Sequence, residues 1–188
     1  KPWKRIPNTI RAPIHYFQAL SNKESAWGKG VADLDASAEE AFAWLWKAVS
    51  YEREKKHAED QGERLRLALE VPNSRSMFQV VRHHIGVAID DRVLASWWAW
   101  RREEDGDLIV ALTPLKSYKD RPDLTATVEA AIDADREASK HVRGELRGLY
   151  RIHSTAPAAC RVTLVLQGKM AGQVPKIALD RKVKQSLG

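Results

Sequence analysis

Apolar and polar positions alternate along much of this chain, and the alternation predicts strands. Leu65, Leu67, Leu69 and Val71 recur every second residue across 63–71, the signature of a half-buried strand. Residues 76–85 and the aromatic run 92–102 read as two more strands. Glu103-Glu104-Asp105-Gly106 carries an Asp-Gly hairpin signal, so residues 107–113 pair back. Residues 27–35 form an earlier strand, with Val31 and Leu34 on its apolar side. From Val142 two long strands follow, one through Ile152 and one over 161–167, joined by a turn at Ser154-Thr155-Ala156-Pro157.

Elsewhere the spacing is helical. Ser37 and Glu40 form a capping box. Behind it Ala38, Ala41, Phe42, Leu45, Trp46 and Val49 share one face. Ile10, Ile14 and Phe17 suggest a short helix, interrupted by Pro13, so 1–26 is expected to be an N-terminal helical extension. Residues 51–61 are charged and read as a helix end and solvated loop. The stretch 114–141 exceeds what a hairpin needs. It reads as a polar turn over 116–123 and a helix over 124–140, with Leu124, Val128, Ala131, Ile132 and Ala138 on one side. Leu179, Val183 and Leu187 open an amphipathic segment over 175–188, read as the start of a truncated C-terminal helix.

Two long antiparallel strands feeding a terminal helix can enclose a hollow. In that setting the order Val142-Arg143-Gly144-Glu145, a Thr- and apolar-rich strand, then Ala171-Gly172-Gln173-Val174-Pro175 resembles the end of a START domain, the steroidogenic-acute-regulatory-related lipid transfer family. Ala171 stands where that family carries Lys. The strand, cap and helix around 27–49 are also similar to the family's opening. Asp91-Arg92-Val93-Leu94-Ala95-Ser96-Trp97 matches one of its inner strands, with the first two charges exchanged and Trp97 in place of an Arg.

The resemblance implies an α+β helix-grip fold of the Bet v 1-like superfamily: a curved antiparallel β-sheet wrapped around a C-terminal α-helix, here with an extra helical insertion near 124–140. It implies a single domain over 1–188 that binds or transfers a lipid, or another hydrophobic small molecule, in an internal cavity. By the same analogy Met77, Gln79, Val81, Val93, Ala95, Trp97, Ala99, Thr163, Val165 and Gln167 line that cavity. The charge pair of sterol-binding relatives is missing, since 76–85 holds no carboxylate and Trp97 replaces the Arg. A sterol is therefore not the expected ligand.

Composition adds limits. The 188 residues suffice for one domain with a real core. The net charge of +6 favours acidic partners, and Lys176, Arg181, Lys182 and Lys184 are candidate contacts for anionic membrane headgroups. A single cysteine, Cys160, excludes an internal disulfide and points to a reducing, intracellular and cytoplasmic setting, peripheral at membranes. No initiator Met is present, so a longer parent protein with covalent neighbours is expected.

The chemistry-bearing residues form no known motif. His83 and His84 fall on opposite sides of a strand, and no metal-ligand spacing occurs. Cys160 and Ser96 lack activating contexts, and Gly28-Lys29-Gly30 is too short for a phosphate loop. Trp97, Trp98 and Trp100 beside Arg101 and Arg102 could stack bases, but the acidic run at 103–107 argues against nucleic acid. No cofactor and no catalytic residue is expected. Two other classes stay open: a cyclase or hydrolase on the same fold, with Arg82, His84 and Glu145 as its candidates, and a ligand-free interaction module of a larger protein, with 114–141 as docking surface.

Overall fold

A computed structural model of the chain describes residues 4–6, 14–20, 25–47, 66–70, 73–83, 92–118, 122–134 and 142–170. The strands are β1 (Lys4–Ile6), β2 (Ile14–Leu20), β3 (Ser25–Leu34), β4 (Arg66–Glu70), β5 (Ser76–His83), β6 (Arg92–Arg102), β7 (Leu108–Pro114), β8 (Val142–Ala156) and β9 (Ala159–Met170). They form one nine-stranded sheet in the order β1-β2-β3-β9-β8-β7-β6-β5-β4. Helix α1 spans Ala38–Trp46 and helix α2 spans Pro122–Ala134.

The pairing is antiparallel throughout, except where β7 stops. Beyond Pro114 the chain leaves the sheet through a 3-10 turn (Leu115–Ser117), and β6 and β8 then meet directly, Arg92–Leu94 running parallel to Val142–Gly144. Departure of one strand thus pulls its two neighbours together. The β6–β7 hairpin turns through Gly106, whose φ of 88° lies in the left-handed region that glycine adopts without strain.

Each helix covers one face of the sheet. The α1 face carries Trp98, Val110, Leu112, Ile152, Leu164 and Leu166, packed with Ala38, Ala41 and Leu45 of α1. The α2 face carries Phe78, Val80 and Val93, packed with Leu115 and with Val128 and Ile132 of α2. Aromatic rings fix α1 in place: Phe42 lies 4.8 Å from Trp100 and 5.8 Å from Trp46, centroid to centroid. On the other face Arg143 of β8 reaches Glu129 (3.1 Å) and Asp133 (3.4 Å) of α2.

Several expectations need correction. Residues 14–20 are a strand rather than part of a helical extension. Ile14 to Leu20 pair with Ala32 to Ala26 over seven positions, and that ladder overrides a local helical spacing in a β-branched and aromatic sequence. The β8–β9 turn sits at Pro157 and Ala158, because β8 continues through Ala156. Helix α2 begins at Pro122, where a proline fits the first turn. Its expected end, the charged loop at 51–61 and the terminal helix over 175–188 lie outside the described residues.

Candidate functional site

The register decides which side chains can share a site. Met77, Gln79 and Val81 of β5 lie opposite Trp98, Ser96 and Leu94 of β6, so these six belong to the α1 face. Val93, Ala95, Trp97 and Ala99 belong to the α2 face, as do Thr163, Val165 and Gln167 of β9. The ten residues expected to line one cavity therefore fall on two sides of the sheet, three on one and seven on the other. Trp97 stacks on Tyr118 (4.9 Å, 22°), in the cluster that α2 closes. Lys176, Arg181, Lys182 and Lys184 lie outside the described residues.

Among the described residues, open space adjoins the α1 face. A pocket of about 530 Å³, partly open to solvent, lies between α1 and the β3–β9–β8 part of the sheet. Its floor includes Ala32, Val162 and Ile152, which stand in one row across three strands. The next row is Gly30, Leu164 and Tyr150, where the glycine contributes no side chain. Tyr150 is backed by Trp98, 6.1 Å away and nearly parallel. Helix α1 supplies the opposite wall through Ala41, Trp44 and Leu45, and Leu34, Asp35, Ala36 and Glu40 complete the lining. Trp44 is 62% exposed and Leu34 39%, so two of the large apolar side chains that line the pocket are also partly in contact with solvent.

The wall is placed by α1's N-terminus. Ser37 Oγ accepts from the Glu40 N–H (3.2 Å), and Glu40 Oε2 accepts from the Ser37 N–H (2.9 Å) and hydroxyl (2.8 Å). Those hydrogen bonds, the backbone one first, hold the Glu40 carboxyl below its ordinary range. Two neighbouring acids are tied to cations. Asp33 takes the forked guanidinium of Arg161 (2.7 and 3.0 Å), and Glu39 takes Arg102 (2.9 Å).

Such a pocket suits burial of an apolar chain, and among the described residues its lining includes no Ser, Cys, His or Lys. Of the residues weighed for catalysis, Arg82 is buried on the α2 face, Glu145 pairs with Lys116, and His84 lies outside the described residues. Cys160 is buried, and that burial pushes its thiol up, away from the reactive thiolate. No cluster suited to a metal occurs among the described residues.

One buried charged group is Asp107, just after the hairpin turn. It accepts from Arg151 Nε and lies 2.7 Å from His153 Nδ1. Burial pushes its carboxyl up, but the hydrogen bonds from His153 and Arg151 outweigh that and hold it below the ordinary range. This cluster fastens the β6–β7 hairpin to β8, on the face opposite the pocket.

The chain aligns in three dimensions with solved lipid-transfer domains at low sequence identity. The human StarD13 (DLC2) lipid transfer and protein localization domain matches with a TM-score of 0.69 and 11% identity, over 100% of this chain and 84% of that one. A STAR-related lipid transfer protein from Xanthomonas axonopodis gives 0.70 and 12%, over 98% and 92%. Human STARD10 gives 0.66 and 15%, over 97% and 67%. No protein-family profile matches the chain, and no curated protein matches it in sequence. The fold is thus that of a START domain, α+β and of helix-grip type.

Proposed function

We propose that this chain binds the apolar part of a lipid, or of another amphiphile, in the pocket between α1 and the β3–β9–β8 floor. The observation that carries the reading is the pocket: about 530 Å³, walled mainly by Ala, Leu, Ile, Val and aromatic side chains, with Asp35 and Glu40 as its charged lining. That volume lies within the range of about 300–1,000 Å³ typical of small-molecule sites. Burying a hydrocarbon chain there contributes roughly 0.8 kcal/mol per methylene. The solved domains that share the fold carry lipid transfer in their names, which supports the same class of ligand here. Transfer between membranes, with loops and the 175–188 segment opening to admit the ligand, is the extension of this proposal.

Trp44 reports on occupancy. A brominated fatty chain seated in the pocket quenches Trp44 fluorescence, and the quenching is lost in Trp44→Phe but kept in Trp97→Phe, whose indole lies on the other face. Quenching that follows Trp97 instead would move the ligand to the α2 face and sink the assignment.

A further inference from the structure

We propose that the pocket takes one hydrocarbon chain and not two, so that its ligand is a single-chain amphiphile, with Tyr150 as the stop that limits chain length. This rests on the pocket reading above and adds the number and length of the chains. A methylene group needs about the room of a water molecule, whose share of liquid volume is about 30 Å³. A pocket of about 530 Å³ therefore holds about eighteen such groups, one ordinary acyl chain. A lipid with two such chains brings about twice that number. The surplus would stand in water, each methylene forgoing its burial.

The described residues fix the pocket on three sides. The floor is the sheet itself, with Ala32, Val162 and Ile152 in one row across hydrogen-bonded strands. Helix α1 roofs it through Ala41 and Leu45, both buried. Towards the middle of the sheet the space ends at Tyr150, whose ring stacks on Trp98 at 6.1 Å and 28°. Tyr150 stands opposite Val110 in the β7–β8 ladder, and Leu108, Val110 and Leu112 are buried. A chain that extends past β8 therefore has to displace packed core. On the other side of the floor Gly30 and Ala32 of β3 leave the room, and a larger side chain there would shorten it.

The test incubates the full chain with vesicles of dimyristoylphosphatidylcholine that carry a minor share of 1-myristoyl lysophosphatidylcholine, and reads bound lipid by native mass spectrometry. Head and chain are the same in both, so only the number of chains differs. The bound species should be the lysolipid, enriched at least about tenfold over its share of the vesicle, a factor that stranding about two methylenes already supplies. A mixed series of lysophosphatidylcholines then spans the limit of about eighteen carbons, and occupancy should fall off beyond it. Tyr150→Ala should move the limit to longer chains. Ala32→Leu should move it to shorter ones, by about the three carbons that leucine adds. Should Tyr150→Ala fail to fold, Ala32→Leu still tests the limit. Diacyl lipid bound in proportion to its share would overturn the single-chain inference, and its loss in Ala32→Phe would leave the pocket standing. A limit that moves in Ala32→Leu but not in Tyr150→Ala would remove Tyr150 as the stop. A limit that Ala32→Leu leaves in place would put the chain elsewhere and, like the absence of any adduct, overturn the pocket reading and this inference with it.

Discussion

Asp107 is a carboxylate 2% exposed between a guanidinium and an imidazole, and its protonation matters to the hairpin it anchors. Its pKa is lowered in the folded chain, so its contribution is complete above the unfolded carboxyl value of about 4 and is lost as pH falls through the folded value. Chemical denaturation across acidic pH should show stability falling in that window. Asp107→Asn should be less stable by about 1–3 kcal/mol near neutral pH, and its acid slope should be flatter. An unchanged slope would assign the acid sensitivity to other groups. A second residue-scale prediction concerns Gly148. A Cβ there would sit 2.3 Å from Leu166 Cδ2 and 2.6 Å from the Val165 carbonyl oxygen. The leucine can turn aside but the carbonyl is fixed in the β8–β9 ladder. Gly148→Ala should therefore lose about 1–3 kcal/mol, read as a lowered denaturation midpoint.

Helix α1 is the element on which the site depends, since it forms one wall and its capping box sets where it starts. Ser37→Ala should cost about 1 kcal/mol of stability. It should also weaken binding of a neutral amphiphile, because the wall frays from the end that carries Ala36 and Glu40. In contrast, Ile132→Ala in α2 should cost about 2–5 kcal/mol by opening a cavity under the other face. Titration of the folded Ile132→Ala variant with the same amphiphile should give an unchanged affinity. The pair of variants separates the helix that shapes the pocket from the helix that completes the core.

Most elements were legible because local signals announce them, β1 and β2 excepted, where a helical spacing misled. The capping box located α1, the two-residue period located β4, apolar and aromatic runs between turns located β5, β6, β8 and β9, and Asp-Gly located the β6–β7 hairpin. Which face each strand presents was not legible, for a definite reason. In β6, β7, β8, β9 and β3 the α1 face holds even-numbered residues, such as Trp98, Leu112, Tyr150, Leu164 and Gly30. In β5 it holds odd ones, because Met77 pairs with Trp98. That parity is set by the length of the β5–β6 connection, and a change of one residue there exchanges the two faces. Taking odd residues on every strand joined three α1-face positions to seven α2-face positions. The pocket's own residues gave one usable signal: Trp44, a large aromatic one step off the apolar stripe of α1, where a merely solvated face needs none.

At the scale of the whole molecule, the sheet carries two unlike faces. The α2 face is filled around β5 and β6 by Phe78, Trp97, Tyr118 and Ile132. The α1 face combines a packed centre with an open pocket beside β3, where Gly30 and Ala32 leave room above the strand. The account therefore expects the ligand on the α1 face. Native mass spectrometry after incubation with a mixed lipid extract tests this most directly, with Ala32→Phe as the comparison because that ring would occupy the pocket floor. The account predicts an adduct of lipid mass, one per chain, on the unaltered protein, and its loss in Ala32→Phe at similar thermal stability. No adduct on either, or the same adduct on both, would contradict it.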